Sequence, residues 1–201
     1  YWANWWRVYG LGELGSVQGC IYQDWEFVDG VPRDAVRLGI GIDFGFTNDP
    51  TAMVELWRYD SAIIINELCY RVGMKNKDIA NTLKANNIPS NALIIADCAE
   101  PKSIAEINEY GYHVQPSTKG ADSINFGISI IQECEKVCIT KESVNFIKEY
   151  RNYVWETDRD GNKTGRPIDD FNHGMDALRY IATRVLAKHN QHQRRGVVRR
   201  N

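Results

Sequence analysis

The chain has 201 residues, 43% hydrophobic and 25% charged, enough to bury a core within the single-domain size range. That composition excludes a disordered, collagenous or disulfide-built protein. No apolar run reaches the roughly 18 residues of a membrane span, and YWANWWRVYG lacks a signal-peptide pattern, so the expectation is a soluble, intracellular protein. Net charge is −2, unevenly spread: residues 182–201 hold Arg184, Lys188, Arg194, Arg195, Arg199 and Arg200 without an acid, and the remainder is net acidic. A basic tail on an acidic body suits either a phosphate-seeking arm or a solvated terminus.

Four of the six tryptophans, Trp2, Trp5, Trp6 and Trp25, fall in the first 25 residues without helical or strand period. Aromatics this dense predict a segment that packs on a neighbouring surface, and residues 1–36 read as a connector from a preceding domain. The regular pattern, a domain over residues 37–188, opens with an apolar strand at 38–46. A turn at Asn48, Asp49 and Pro50 leads to strands at 51–59 and 61–70, an antiparallel meander. The segment KNKDIANTLKANN places Ile79 and Leu83 at helical spacing, and a buried strand at 92–96 follows Pro89, which indicates a crossover to a parallel neighbour. Helices after Pro101 and at 123–134 and 142–153 then alternate with strands at 112–115 and 136–139. A polar segment, ETDRDGNKTGR, carries a hairpin signal at Asp160 and Gly161. The last helix is expected from a cap at Asp170 through Leu186, with a basic tail at 189–201. The five cysteines, Cys20, Cys69, Cys98, Cys134 and Cys138, lack zinc-ribbon spacing and read as buried thiols.

Three antiparallel strands followed by strand–helix alternation predict an α/β domain, a mixed sheet flanked by helices in ribonuclease H-like order. Three aspartates stand where its apolar elements break open. Asp43 interrupts a strand, RLGIGIDFGF, that is otherwise apolar, and a buried carboxylate needs either a cation or hydrogen-bond donors. Asp97 repeats the pattern after Leu93, Ile94, Ile95 and Ala96. Glu100, three residues on, is an auxiliary ligand or a plain helix N-terminal acid. Asp176 lies among Met175, Ala177 and Leu178 inside a helix and competes with Asp169 and Asp170, which sit where turns place acids. His173 precedes Asp176 by three residues and shares its helix face, positioned to bind metal, shuttle a proton, contact phosphate or serve structure alone. Open sheets bind ligands at the carboxyl ends of their strands, where these acids meet if the first and fourth predicted strands are neighbours. Converging carboxylates are the usual ligands of a pair of hard divalent cations.

These stretches resemble the C-terminal nuclease domain of the large terminase subunit of tailed bacteriophages. The matching segments are WRVYGLGELG, GIDFGFTNDPTA, IIADCAEPKSIAEI, PSTKGADSI and DDFNHGMDALRYI, in that order and over nearly all of residues 5–186. The resemblance implies a ribonuclease H-like endonuclease that cuts concatemeric viral double-stranded DNA during packaging, in the cytoplasm of the infected host. Asp43, Asp97 and Asp176 would be its metal-binding acids, with His173 beside the last. Two divalent cations, Mg²⁺ or Mn²⁺, suit an all-oxygen site of this kind.

The resemblance also implies a small terminase subunit and a portal protein as partners. The family's packaging ATPase lies outside this chain, which has no GxxxxGK[ST] phosphate loop. Lys102, Lys119, Lys163 and Arg166 are weak candidates for DNA-phosphate contacts, since each taken singly reads more readily as solvated surface charge. Two other readings stay open. GIDFGFT also resembles the first phosphate loop of actin-like and sugar-kinase ATPases, whose second loop is not visible here, and the domain could be a catalytically inactive docking module.

Overall fold

The β-branched and apolar runs form nine strands among the described residues, and the helical-period segments form five helices between and after them. The structure, a computed structural model, describes residues 19–120 and 122–197. Trp2, Trp5, Trp6, Arg199 and Arg200 lie outside the described residues, as do the side chains of residues 188–197.

The strands are β1 (Glu26–Val28), β2 (Val36–Asp43), β3 (Pro50–Tyr59), β4 (Ala62–Val72), β5 (Ile94–Ala96), β6 (Val114–Pro116), β7 (Lys136–Thr140), β8 (Trp155–Thr157) and β9 (Lys163–Pro167). The helices are α1 (Asn76–Ala85), α2 (Pro101–Glu109), α3 (Ser123–Gln132), α4 (Val144–Asn152) and α5 (His173–Val197). Seven strands form one mixed sheet in the order β1-β7-β4-β3-β2-β5-β6, and β8 and β9 form a separate hairpin. The meander β2-β3-β4 is antiparallel, β5 runs parallel to β2, and β7 runs parallel to β4. The pairing of β2 with β5 brings the ends that carry Asp43 and Asp97 side by side, with Ile42 opposite Ala96.

Strand period two divides β2 between two cores. Ile40 and Ile42 point to a cluster closed by Ile79 and Leu83 of α1 and Ile104 and Ile107 of α2. Gly39 and Gly41 face the other way, toward α5. A β-carbon at Gly41 would overlap the carbonyl of Ala177, so the missing side chain lets α5 lie directly on the strand. Asp43, two residues beyond Gly41, shares that face. In β5, Ile95 belongs to the core under α3, α4 and α5 whereas Ile94 and Ala96 belong to the other, so Asp97 also falls on the α5 side. Each fully buried isoleucine in these layers contributes about 1.5–3 kcal/mol relative to exposure.

Two features depart from the sequence reading. Residues 20–28, expected within a connector, are part of the sheet and core: β1 pairs in parallel with β7, and Cys20, Ile21, Tyr22 and Trp25 are buried. The surface on which these aromatics pack is the chain's own α4, where Trp25 stacks on Tyr150 with ring centroids 4.8 Å apart. The last helix also begins later than a cap at Asp170 would place it. Phe171 takes a left-handed conformation (φ 57°) between the exposed Asp170 and the helix, and α5 starts at His173 and runs to Val197.

Candidate active site

Asp43 is the last residue of β2, and its side chain is only 13% exposed. Two α5 side chains, one turn apart from Asp176 on either side, supply the donors that its burial demands. His173 Nδ1 lies 3.1 Å from Asp43 Oδ2, and the Tyr180 hydroxyl donates to Oδ1 at 3.3 Å. Desolvation pushes the Asp43 carboxyl above the usual aspartate range against the His173 hydrogen bond, and the charges of Asp176 and Asp97 push it further. The hydrogen bond to Asp43 holds the His173 imidazole above its ordinary value in turn, although burial opposes it. The second ring nitrogen, Nε2, faces Asp49 at 3.9 Å.

Asp97 stands one residue past β5, where its backbone N–H continues the ladder to the Ile42 carbonyl at 3.1 Å. Its Oδ1 accepts from the Ala99 N–H at 3.1 Å, closing the turn into α2, and from Lys119 Nζ at 3.0 Å. Glu100 N-caps α2 and accepts a hydrogen bond from Ser103 Oγ, the helix-terminal alternative of the two open in the sequence.

Asp176 occupies the first turn of α5 and is paired with Arg179 at 2.8 Å. Burial raises its carboxyl pKa, the Arg179 guanidinium resists that rise, and the Asp97 charge adds to it. Asp169 instead accepts from Asn172 at an exposed turn, and Asp170 is exposed. Of the three competing acids, Asp176 is the one that α5 turns toward the other two carboxylates.

Burial and neighbouring acid charge thus raise the proton affinity of Asp43 and Asp176, and each of the three acids is met by its own internal partner. As placed, no three His, Cys, Asp or Glu side chains among the described residues form a group able to hold a metal ion. The chemistry of the donor set nonetheless fits a hard divalent cation. It is all-oxygen and partly desolvated, and it carries mutual repulsion that a cation would relieve.

Glu149 carries a role that the sequence reading missed. It is 1% exposed on α4, and its Oε2 accepts from the N–H groups of Gly174 (2.7 Å) and Met175 (3.1 Å). Tyr70 donates to its other oxygen at 2.8 Å. A carboxylate from one helix therefore caps the positive end of another, the end that carries His173 and Asp176. The signal was present: Glu149 lies within the apolar stripe Phe146, Tyr150 and Tyr153, where a lone acid must have donors. Tyr180 was legible too, four residues from Asp176 on one helix face.

The candidate DNA contacts separate. Lys119 is the ion-pair partner of Asp97, and Arg166 lines a cleft of about 630 Å³ that also holds Asp176. Lys163 lines a different cleft beside Trp25 and Lys136, and Lys102 is exposed at the start of α2. Both arms of the predicted hairpin form, as β8 and β9.

A seven-stranded mixed sheet with helices on both faces, and acids gathered where a parallel pair ends beside the last helix, defines a ribonuclease H-like domain. The model of the terminase RNase H-like domain family matches residues 43–183, and the chain belongs to that family. It is 34% identical over 193 residues to the large terminase subunit of Bacillus phage SPP1, covering 89% of this chain and 44% of that protein's length. The Mn-bound nuclease domain of the SPP1 large terminase superposes with a TM-score of 0.71 at 27% identity, over 82% of this chain and 98% of the other. The large terminase nuclease of the thermophilic phage G20c, solved with bound magnesium, shares the fold at a TM-score of 0.58 and 16% identity, over 83% and 98% of the two chains.

Proposed function

We propose that this chain is the DNA-cutting domain of a phage packaging machine, an endonuclease dependent on divalent metal that cleaves concatemeric viral double-stranded DNA in the host cytoplasm. The observation that carries the reading is the convergence of Asp43, Asp97 and Asp176, with His173, on one face at the carboxyl ends of β2 and β5. The Mn-bound SPP1 nuclease domain, similar in sequence and fold, supports the choice of cation class.

Asp43, Asp97 and Asp176 would hold two cations, Mg²⁺ or Mn²⁺, which when bound neutralise phosphate charge and activate water for phosphodiester hydrolysis. The chain's own groups do the rest. Lys119 and Arg179, ion-paired with Asp97 and Asp176, set positive charge beside the acids, where it would attract the substrate's phosphate oxygens. His173, fixed through Nδ1 by Asp43, keeps Nε2 available to take up or return a proton at a substrate oxygen. The Glu149 cap holds the helix end that presents His173 and Asp176. Phosphate contacts carry little base information, so cutting has low intrinsic sequence preference, and site choice falls to the small terminase subunit and portal. In this reading the domain works beside a packaging ATPase domain, and the basic residues after 188 serve to attract DNA.

The test is plasmid cleavage by the purified chain with Mg²⁺, Mn²⁺ or EDTA, beside Asp43→Ala, Asp97→Ala and Asp176→Ala. Metal-dependent cutting that each substitution abolishes is the expected result. Folded single variants that cut as fast as wild type would remove the site, and ATP hydrolysis without cutting would favour the phosphate-loop reading.

A further inference from the structure

A further cleft, of about 170 Å³, opens between the end of β6, the start of α3 and the second to fourth turns of α5. Ser117, Thr118, Ser123, Thr183, Arg179 and Arg184 line it, and among the described residues no acid does. Arg179 is only 8% exposed, and its stem lies across α3 at Gly127, where a β-carbon would overlap Cγ. One guanidinium nitrogen bonds Asp176, but the buried Nε has no hydrogen-bond partner among the described residues. A buried donor left without an acceptor marks a place where an acceptor belongs. Arg184 reaches the same cleft from one turn further along α5, where its guanidinium makes a long 3.5 Å contact to Gln115. Ser123 begins α3, whose Asp122 N-cap makes no side-chain bond to the helix, so first-turn N–H groups lack that partner.

Two guanidinium groups, four hydroxyls and a helix N-terminus in a cleft without acids are complementary to a tetrahedral oxyanion. The cleft is joined to the acid site at two points. Ser117 donates its N–H to the Ala96 carbonyl at 2.7 Å and accepts from Cys98 N–H at 3.2 Å, which ties its wall to the turn bearing Asp97. Arg179 joins it to Asp176.

We propose that this cleft is a phosphate subsite, which holds a backbone phosphate of the DNA strand beside the one being cut. The proposal rests on the nuclease reading of the acids, and names where the substrate strand is gripped next to them. The shared chemistry is a phosphate oxyanion, supplied by a DNA backbone or by free phosphate.

The test is fluorescence anisotropy of a labelled duplex with the whole chain in EDTA, across a series of chloride concentrations, for wild type, Arg184→Ala, Arg184→Lys and Thr183→Val. Arg184→Ala is expected to weaken binding about tenfold and to reduce the salt slope by about one, the loss of one phosphate contact. Arg184→Lys should keep the slope, and Thr183→Val should weaken binding a few-fold with the slope unchanged. Inorganic phosphate at matched ionic strength should displace duplex from wild type more effectively than chloride does, and lose that advantage in Arg184→Ala. Unchanged duplex affinity and slope in Arg184→Ala, with the phosphate advantage also retained, overturns the subsite. Phosphate binding lost in Arg184→Ala while duplex binding is untouched overturns the DNA assignment and leaves a free-phosphate site. Binding in EDTA is independent of cutting. Loss of duplex affinity in a chain that never cuts therefore sustains the subsite against the nuclease reading, and a cutting enzyme indifferent to Arg184 does the reverse.

Discussion

Replacing Glu149 by alanine removes the acceptor for two main-chain N–H groups, at 2.7 and 3.1 Å, and for the Tyr70 hydroxyl at 2.8 Å. A buried donor stripped of its acceptor costs about 1–3 kcal/mol, and hydrogen bonds to a charged group stand at the upper end. Tyr70 is half-buried and recovers water, so the two backbone donors dominate. Set against them is the release of a carboxylate whose own burial is unfavourable, as its raised pKa records. The net expectation for Glu149→Ala is a loss of roughly 3 kcal/mol, a urea midpoint lower by about 1 M at an m-value near 3 kcal/mol/M.

Glu149→Gln keeps every partner, since the amide oxygen accepts from Gly174 and Met175 while the amide nitrogen donates to the Tyr70 oxygen. It should stay within about 1 kcal/mol of wild type. The two also differ in pH dependence. Burial raises the Glu149 pKa, so the folded state binds that proton more tightly than the unfolded chain does. Its stabilising contribution is fully present below the ordinary glutamate range and is lost as pH rises through the folded value. Glutamine lacks this loss, so its stability relative to wild type should improve from acid to neutral pH. Urea unfolding at several pH values decides the matter. Glu149→Ala within 1 kcal/mol of wild type, or glutamine as damaging as alanine, would refute the capping argument.

Gly41→Ala should destabilise by about 3 kcal/mol or more, because the overlap is with the Ala177 backbone and not with a side chain that can move aside. A melting temperature lowered by less than about 5 °C would contradict it. Trp25→Ala should cost about 3–5 kcal/mol through loss of the stack on Tyr150 and Tyr22, measured by chemical denaturation; a neutral result would return residues 20–28 to the role of a loose connector. In metal-free protein, Asp43 and Asp176 have raised carboxyl pKa values, so their contribution to stability is present below the ordinary aspartate range and is lost as pH rises through the folded values. Mn²⁺ should therefore raise the melting temperature more at pH 7.5 than at pH 4.5, with EDTA reversing the gain, and equal shifts at both would argue against binding at these acids.

Much of this was local and hence legible in the chain itself. Strand period two puts Asp43 on the glycine face of β2, and the same period puts Asp97 opposite Ile94 and Ala96. A turn signal and helical spacing are enough to order the meander and the alternation that follows. Asp176 was not separable from Asp169 and Asp170 by such patterns. Its choice depends on the phase with which α5 meets β2, set by the contact of Gly41 with Ala177. The packing of Trp25 on α4, the capture of Asp97 by Lys119 and the capping of α5 by Glu149 join residues from separate elements. Periodicity reports which face of an element is buried, whereas the identity of what lies against that face follows only from how the crossovers stack the layers. The sequence by itself determined the elements and the architecture; the tertiary structure decided which acid of the last helix faces Asp43 and Asp97 and what partners each, because charge and hydrogen bonding act between neighbours in space.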